Sequence, residues 1–160
     1  MKLTGQIAKH LREVYFGENW TEVDFKSQLA DVTWQEAIAR VYGLNSIATL
    51  IFHAGYYVLV LIPVLEGQPL NARNVDSFQH PPITSHDDWN RLLDSFWANA
   101  ERCAALLEKM PESLLWETFK DEKYGDYYRN IEGTIEHLYY HLGQIVLLKK
   151  ILRQPADSLV

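Results

Sequence analysis

One segment constrains this chain more than any other: Ser46-Ile-Ala-Thr-Leu-Ile-Phe-His-Ala-Gly-Tyr-Tyr-Val-Leu-Val-Leu-Ile-Pro-Val-Leu65. It is apolar on every side, so as a helix it must lie in a bilayer or at the centre of a protein core. A span needs about 20 apolar residues, and the length fits. Three features favour the core: His53 and Pro63 interrupt the segment, it is the only one of its kind, and no Lys or Arg cluster flanks it to set an orientation. It is therefore read as the central helix of a bundle, with no membrane as partner.

Partners for that helix are legible in the rest of the 160 residues. Leu3, Ile7, Leu11, Val14 and Tyr15 recur at three- and four-residue steps, which predicts an amphipathic helix over 2–16. Gly17, Glu18 and Asn19 break it, and Thr33-Trp-Gln-Glu36 has the form of a capping box opening a short helical turn or two. Gly67 to Pro82 reads as a long connection, a kind of segment that is often functional. Ser85 with Asp88, and Asp87 beside it, signal a helix that runs through Trp89, Leu92, Leu93, Phe96, Ala100, Cys103 and Leu107 and stops at Pro111. Asn130 is predicted to cap a last helix through Ile131, Ile135, Leu138, Leu142, Ile145, Leu148 and Leu152. With no alternating strand pattern and no repeat, the expected fold is all-α, one domain of four long helices.

Composition narrows the partners. Hydrophobic residues at 48% against 22% charged exclude disorder. The net charge of -6, without a basic run, argues against nucleic acid, whose binding needs concentrated positive charge. Cys103 is the single cysteine, so no internal disulfide forms, and its neighbours Ala104, Ala105 and Leu106 point to an inert packed thiol. The first ten residues lack an apolar core with a small-residue cleavage site, and the chain is expected to be cytoplasmic.

Of six histidines, His10, His80 and His86 have no partner spacing and read as solvated. His137 and His141 are four apart, about 40° around a helix, and two imidazoles so placed can aim at one ion. They lie opposite the charged arc of Glu132, Glu136 and Lys150. His53, inside the most apolar helix, needs a partner, because an unsatisfied buried nitrogen costs about 1 to 3 kcal/mol. That partner is either a metal shared with the pair or a hydrogen bond to Tyr56, Tyr57, Tyr139 or a backbone carbonyl.

Ile135-Glu-His-Leu-Tyr-Tyr-His-Leu-Gly-Gln-Ile145 resembles the C-terminal motif of the DinB superfamily (DinB/YfiT-like), a histidine pair followed by Gly-Gln. Asn45-Ser-Ile-Ala-Thr-Leu-Ile-Phe-His53 resembles its second-helix motif, which leads to a single metal-binding histidine. Asn19-Trp-Thr21 and Leu29-Ala-Asp-Val-Thr-Trp-Gln-Glu-Ala37 are similar to its segment between the first two helices. The resemblance implies an up-down-down-up four-helix bundle, a metal triad of His53, His137 and His141, and a homodimer. Many relatives carry Arg where this chain has Leu142, which removes any role that Arg plays.

Three neutral imidazoles suit zinc or nickel, also tolerate iron, cobalt or copper, and leave a position for water or substrate. The resemblance further implies a low-molecular-weight thiol as co-substrate for a small molecule, in a transferase or hydrolase. Glu136 points about 100° from His137 and makes a poor general base. Gln144 lies about 20° from His137, and either bonds a ligand or metal-bound group or packs at a helix interface. The competing class is a non-catalytic bundle in which the ion ties two helices, acting as a dimeric ligand-binding or interaction protein. Trp89, Phe96 and Trp97 add to the expectation of a dimer, as aromatic surface beyond one core stripe.

Overall fold

In a computed structural model, which describes residues 2–155, the apolar segment starts at a cap. Ser46 is extended and its hydroxyl accepts the Thr49 N–H at 3.2 Å, opening the helix Ile47–Leu65. In chain order the helices are α1 Leu3–Phe16, α2 Phe25–Leu29, α3 Trp34–Ile38, α4 Ile47–Leu65, α5 His86–Lys109 and α6 Tyr127–Leu152. Three 3-10 turns, at Asn74–Phe78, Glu112–Trp116 and Glu122–Tyr124, complete the order. Among the described residues there is no strand, only an isolated bridge between Thr118 and Asp126. The protein is all-α.

α4 is long and apolar enough to cross a membrane, and 61% of its 18-residue apolar window is buried inside the protein. It packs on α5 along one side and α6 along another, while α1 packs on both α5 and α6. Contacts give each pair its direction. Leu3 N–H meets Glu112, Arg12 meets Glu101 and Glu108, and the Tyr15 ring meets Phe96, so α1 and α5 run oppositely. Gly55 faces Phe96 and Glu66 pairs with Arg102 at 2.6 Å, so α4 and α5 run the same way. His53 meets His137 and His141 while Leu61 and Thr134 share a cavity wall, so α4 and α6 run oppositely. The α4–α5 approach is close: a Cβ on Gly55 would lie 2.7 Å from the Phe96 ring, which leaves room for glycine alone.

The Thr33–Glu36 capping box is present in full, and Ser85 caps α5 through Asp88 N–H. α6 corrects the sequence reading. Asp126, not Asn130, is its cap, accepting Arg129 N–H at 2.8 Å. Asn130 lies in the first turn, its amide donating to the carbonyls of Tyr124 and Asp126.

The α5 aromatics also correct it. Trp89 is 1% exposed and donates its indole N–H to the Val32 carbonyl at 3.1 Å. Phe96 is buried against Tyr15 and Phe25, and Trp97 packs on Tyr15 and Phe16 with Lys26 Nζ above its ring. The segment holding α2 and α3 supplies the cover that a four-helix count leaves out, so Trp89 and Phe96 are core and Trp97 is half-buried against it, not spare surface. Cys103 is buried, and burial pushes its thiol up to about 12, as an inert packed cysteine requires.

Tyr15 is fully buried, yet its hydroxyl has no hydrogen-bond partner among the described residues. Tyr15→Phe keeps the ring and removes the unpaired group, so stability is expected to hold or rise by up to about 1 kcal/mol. Denaturant unfolding of the two chains checks this, and a clear loss would reveal a partner for the hydroxyl.

Candidate metal centre

α4 places His53 in its buried middle, and α6 presents His137 and His141 one turn apart on the face that meets it. The three rings converge. His137 Nε2 lies 3.1 Å from His53 Nε2 and 2.9 Å from His141 Nε2, and one nitrogen from each ring falls within 4.8 Å of the others. His53 and His141 are only 6% and 7% exposed. The three histidines stand close enough to hold one metal ion.

Neighbours fix two of the tautomers. The Ser77 hydroxyl donates to the Asn74 carbonyl at 2.6 Å, so its oxygen accepts the Nδ1–H of His53 at 2.8 Å. The Gln144 carbonyl oxygen can only accept, and it lies 2.7 Å from His141 Nδ1. Both rings therefore carry hydrogen on Nδ1 and turn a bare Nε2 lone pair inwards. His137 Nε2 sits between those two lone pairs, and its own Nδ1 is buried with no hydrogen-bond partner among the described residues. One proton on His137 Nε2 can satisfy at most one of the facing lone pairs, whereas a cation at the centre would satisfy all three nitrogens.

Protonation does not supply that cation. Burial, then the charge of His141, pushes His53 down to about 4; burial, then His141 and His53, does the same to His137. His141 is lowered as well, by burial, with the bond to Gln144 opposing. The sign follows: from about pH 6.5 downward an unfolded histidine takes up a proton that the folded site refuses until about 4. Metal-free protein is accordingly expected to lose stability as pH falls through that interval. Denaturant midpoints at several pH values test it, and a chain carrying both His53→Ala and His137→Ala should lose less over the same range.

The sequence reading assigned Gln144 a bond to a ligand or a packing role. In the structure it holds His141, fixing ring and tautomer. Tyr56, Tyr57 and Tyr139 do not bond His53: Tyr57 O–H donates to Asn74 Oδ1, Tyr56 oxygen accepts Arg73 N–H, and Tyr139 lies by His10. Ser77 fills that place, with Phe78 stacked on the His53 ring at 4.0 Å. Sequence reasoning missed both. The only signal was the length of the Gly67 to Pro82 connection, since nothing in the spacing of Ser77 points to His53.

Glu136 is exposed, and among the described residues no carboxylate joins the cluster. His10 approaches Glu132 at 3.9 Å, and His86 opens α5 at the surface. His80 is not simply solvated, because its ring bonds the Pro81 carbonyl at 2.8 Å and Thr49 Oγ1 at 3.3 Å, fastening the connection to α4. None of these three reaches the centre. Comparison with family models, with curated proteins and with solved structures finds no match to this chain. The chemistry of the site is carried by its own residues.

Proposed function

We propose that this chain is a metal-dependent enzyme of the DinB superfamily, holding one divalent ion on His53, His137 and His141 and acting on a small molecule as a thiol-dependent transferase or a hydrolase. The observation that carries the reading is the convergence of three Nε2 atoms, two with their lone pairs turned inwards by Ser77 and Gln144. Three neutral imidazoles without a thiolate suit zinc or nickel. A bound ion there would supply Lewis-acid chemistry to a water or thiol in its remaining position. The chain's own part is to hold the rings neutral, fix their tautomers and pack Phe78 and Tyr57 against them.

The same reading takes the long helices as the family's bundle, with α1 up, α4 and α5 down and α6 up. The pair directions of α1 with α5, α4 with α5 and α4 with α6 support it. A homodimer and a cytoplasmic place belong to the proposal too, the dimer on the family resemblance alone. A bundle in which the ion merely ties α4 to α6 is the second reading, favoured by the burial of His53 and His141.

Metal analysis of untagged protein tests the first claim, and one equivalent of a divalent ion is the expected result. Adding a small thiol to the cobalt-substituted protein separates enzyme from strut: an open position changes the visible spectrum, whereas a closed structural site does not. Ser77→Ala should weaken metal affinity about 10- to 100-fold by freeing the His53 ring, measured by competition with a chelator.

A further inference from the structure

Beside the histidines lies a cavity of about 400 Å³, walled by α4, the connection after it, the 117–130 segment and the start of α6. Its size is that of a small-molecule pocket. Leu61, Leu70 and Phe119 give it apolar walls, and among the described residues no side chain lining it carries a charge. An ion entering it would leave water without a counter-charge, which such a site penalises heavily.

The polar groups on its walls are partly spent. Tyr57 O–H goes to Asn74 Oδ1, Asn130 Nδ2 goes to two carbonyls, and Thr134 O–H goes to the Asn130 carbonyl. What remains among the described residues includes the Tyr56 proton, since its oxygen accepts from Arg73, together with Asn74 Nδ2, Asn130 Oδ1 and the hydroxyl of Tyr124, over whose ring Lys123 Nζ lies. These suit one hydroxyl or carbonyl on an otherwise apolar body.

Tyr57 forms the wall shared with the centre, its ring 5.3 Å from His53 and 4.7 Å from His137. Thr134, on the cavity side, stands one turn before His137. We infer that this cavity binds a neutral, mainly apolar molecule with a single hydroxyl or carbonyl group, and that this class is the substrate of the adjoining histidine centre. As a binding site it stands alone; as a substrate site it rests on the metalloenzyme reading.

Calorimetric titration of the whole protein at pH 7 with 2-naphthol, 2-naphthoate and 2-naphthylmethylamine tests it, the three sharing one ring system and differing in charge. Saturable binding of 2-naphthol, at least about tenfold tighter than either ion, is expected. Chelated protein should bind it equally. Thr134→Phe fills the cavity from α6 and Leu70→Trp from the connection, and each should weaken binding at least tenfold. The second variant decides if the first unfolds. No saturable 2-naphthol binding, an ion bound as tightly, or unchanged binding by a folded filled variant overturns the inference. Protein that binds 2-naphthol but no metal sinks the metalloenzyme reading instead, and leaves a ligand site with no centre to serve.

Discussion

Alanine at any one of His53, His137 or His141 is expected to remove stoichiometric metal, weakening affinity by more than the roughly 100-fold limit typical of outer-shell changes. Each histidine is a third of the donor set, and among the described residues no carboxylate or thiolate lies in the cluster to replace it. Variants His10→Ala, His80→Ala and His86→Ala should keep full metal. His80 is the exacting control, since it touches α4 at Thr49 yet stays outside the cluster. Elemental analysis after dialysis reads the outcome. Three single variants that retain a full equivalent would end the metal reading and leave a histidine cluster with a purely structural role.

Trp89→Ala should lose about 3 to 5 kcal/mol of stability, a large fraction of what holds a domain of this size folded. The indole is fully buried and its N–H satisfies the Val32 carbonyl, so the change opens a cavity and strands an acceptor together. Were Trp89 an interface residue, the loss would scale with protein concentration and light scattering would show dissociation. A concentration-independent fall in the denaturant midpoint is expected. A loss under about 1 kcal/mol would return the ring to the surface.

The triad was legible because helical spacing reports direction: two histidines four apart face one way, and a histidine in an apolar helix demands a partner. Caps were legible for a similar reason, since Ser46, Thr33 and Ser85 each act within three residues of themselves. Asn130 misled because it stands just before the apolar stripe, whereas Asp126 begins the helix one turn earlier with aromatic residues. The α5 aromatics misled because α2 and α3 are too short to show a period, so their capacity to cover Trp89 and Phe96 left no pattern. Ser77 left none either. Its partner is set by where the connection crosses α4, a matter of tertiary packing and not of local spacing.

Asn74 carries a consequence of another kind. Its carbonyl holds the hydroxyl that sets the His53 tautomer, and its side chain holds Tyr57. The turn Asn74–Phe78 therefore cannot open without freeing a histidine ring and a tyrosine at once. Local unfolding of that surface turn is thus linked to occupancy of the buried centre, and whatever binds His53 stabilises the closed turn by mass action.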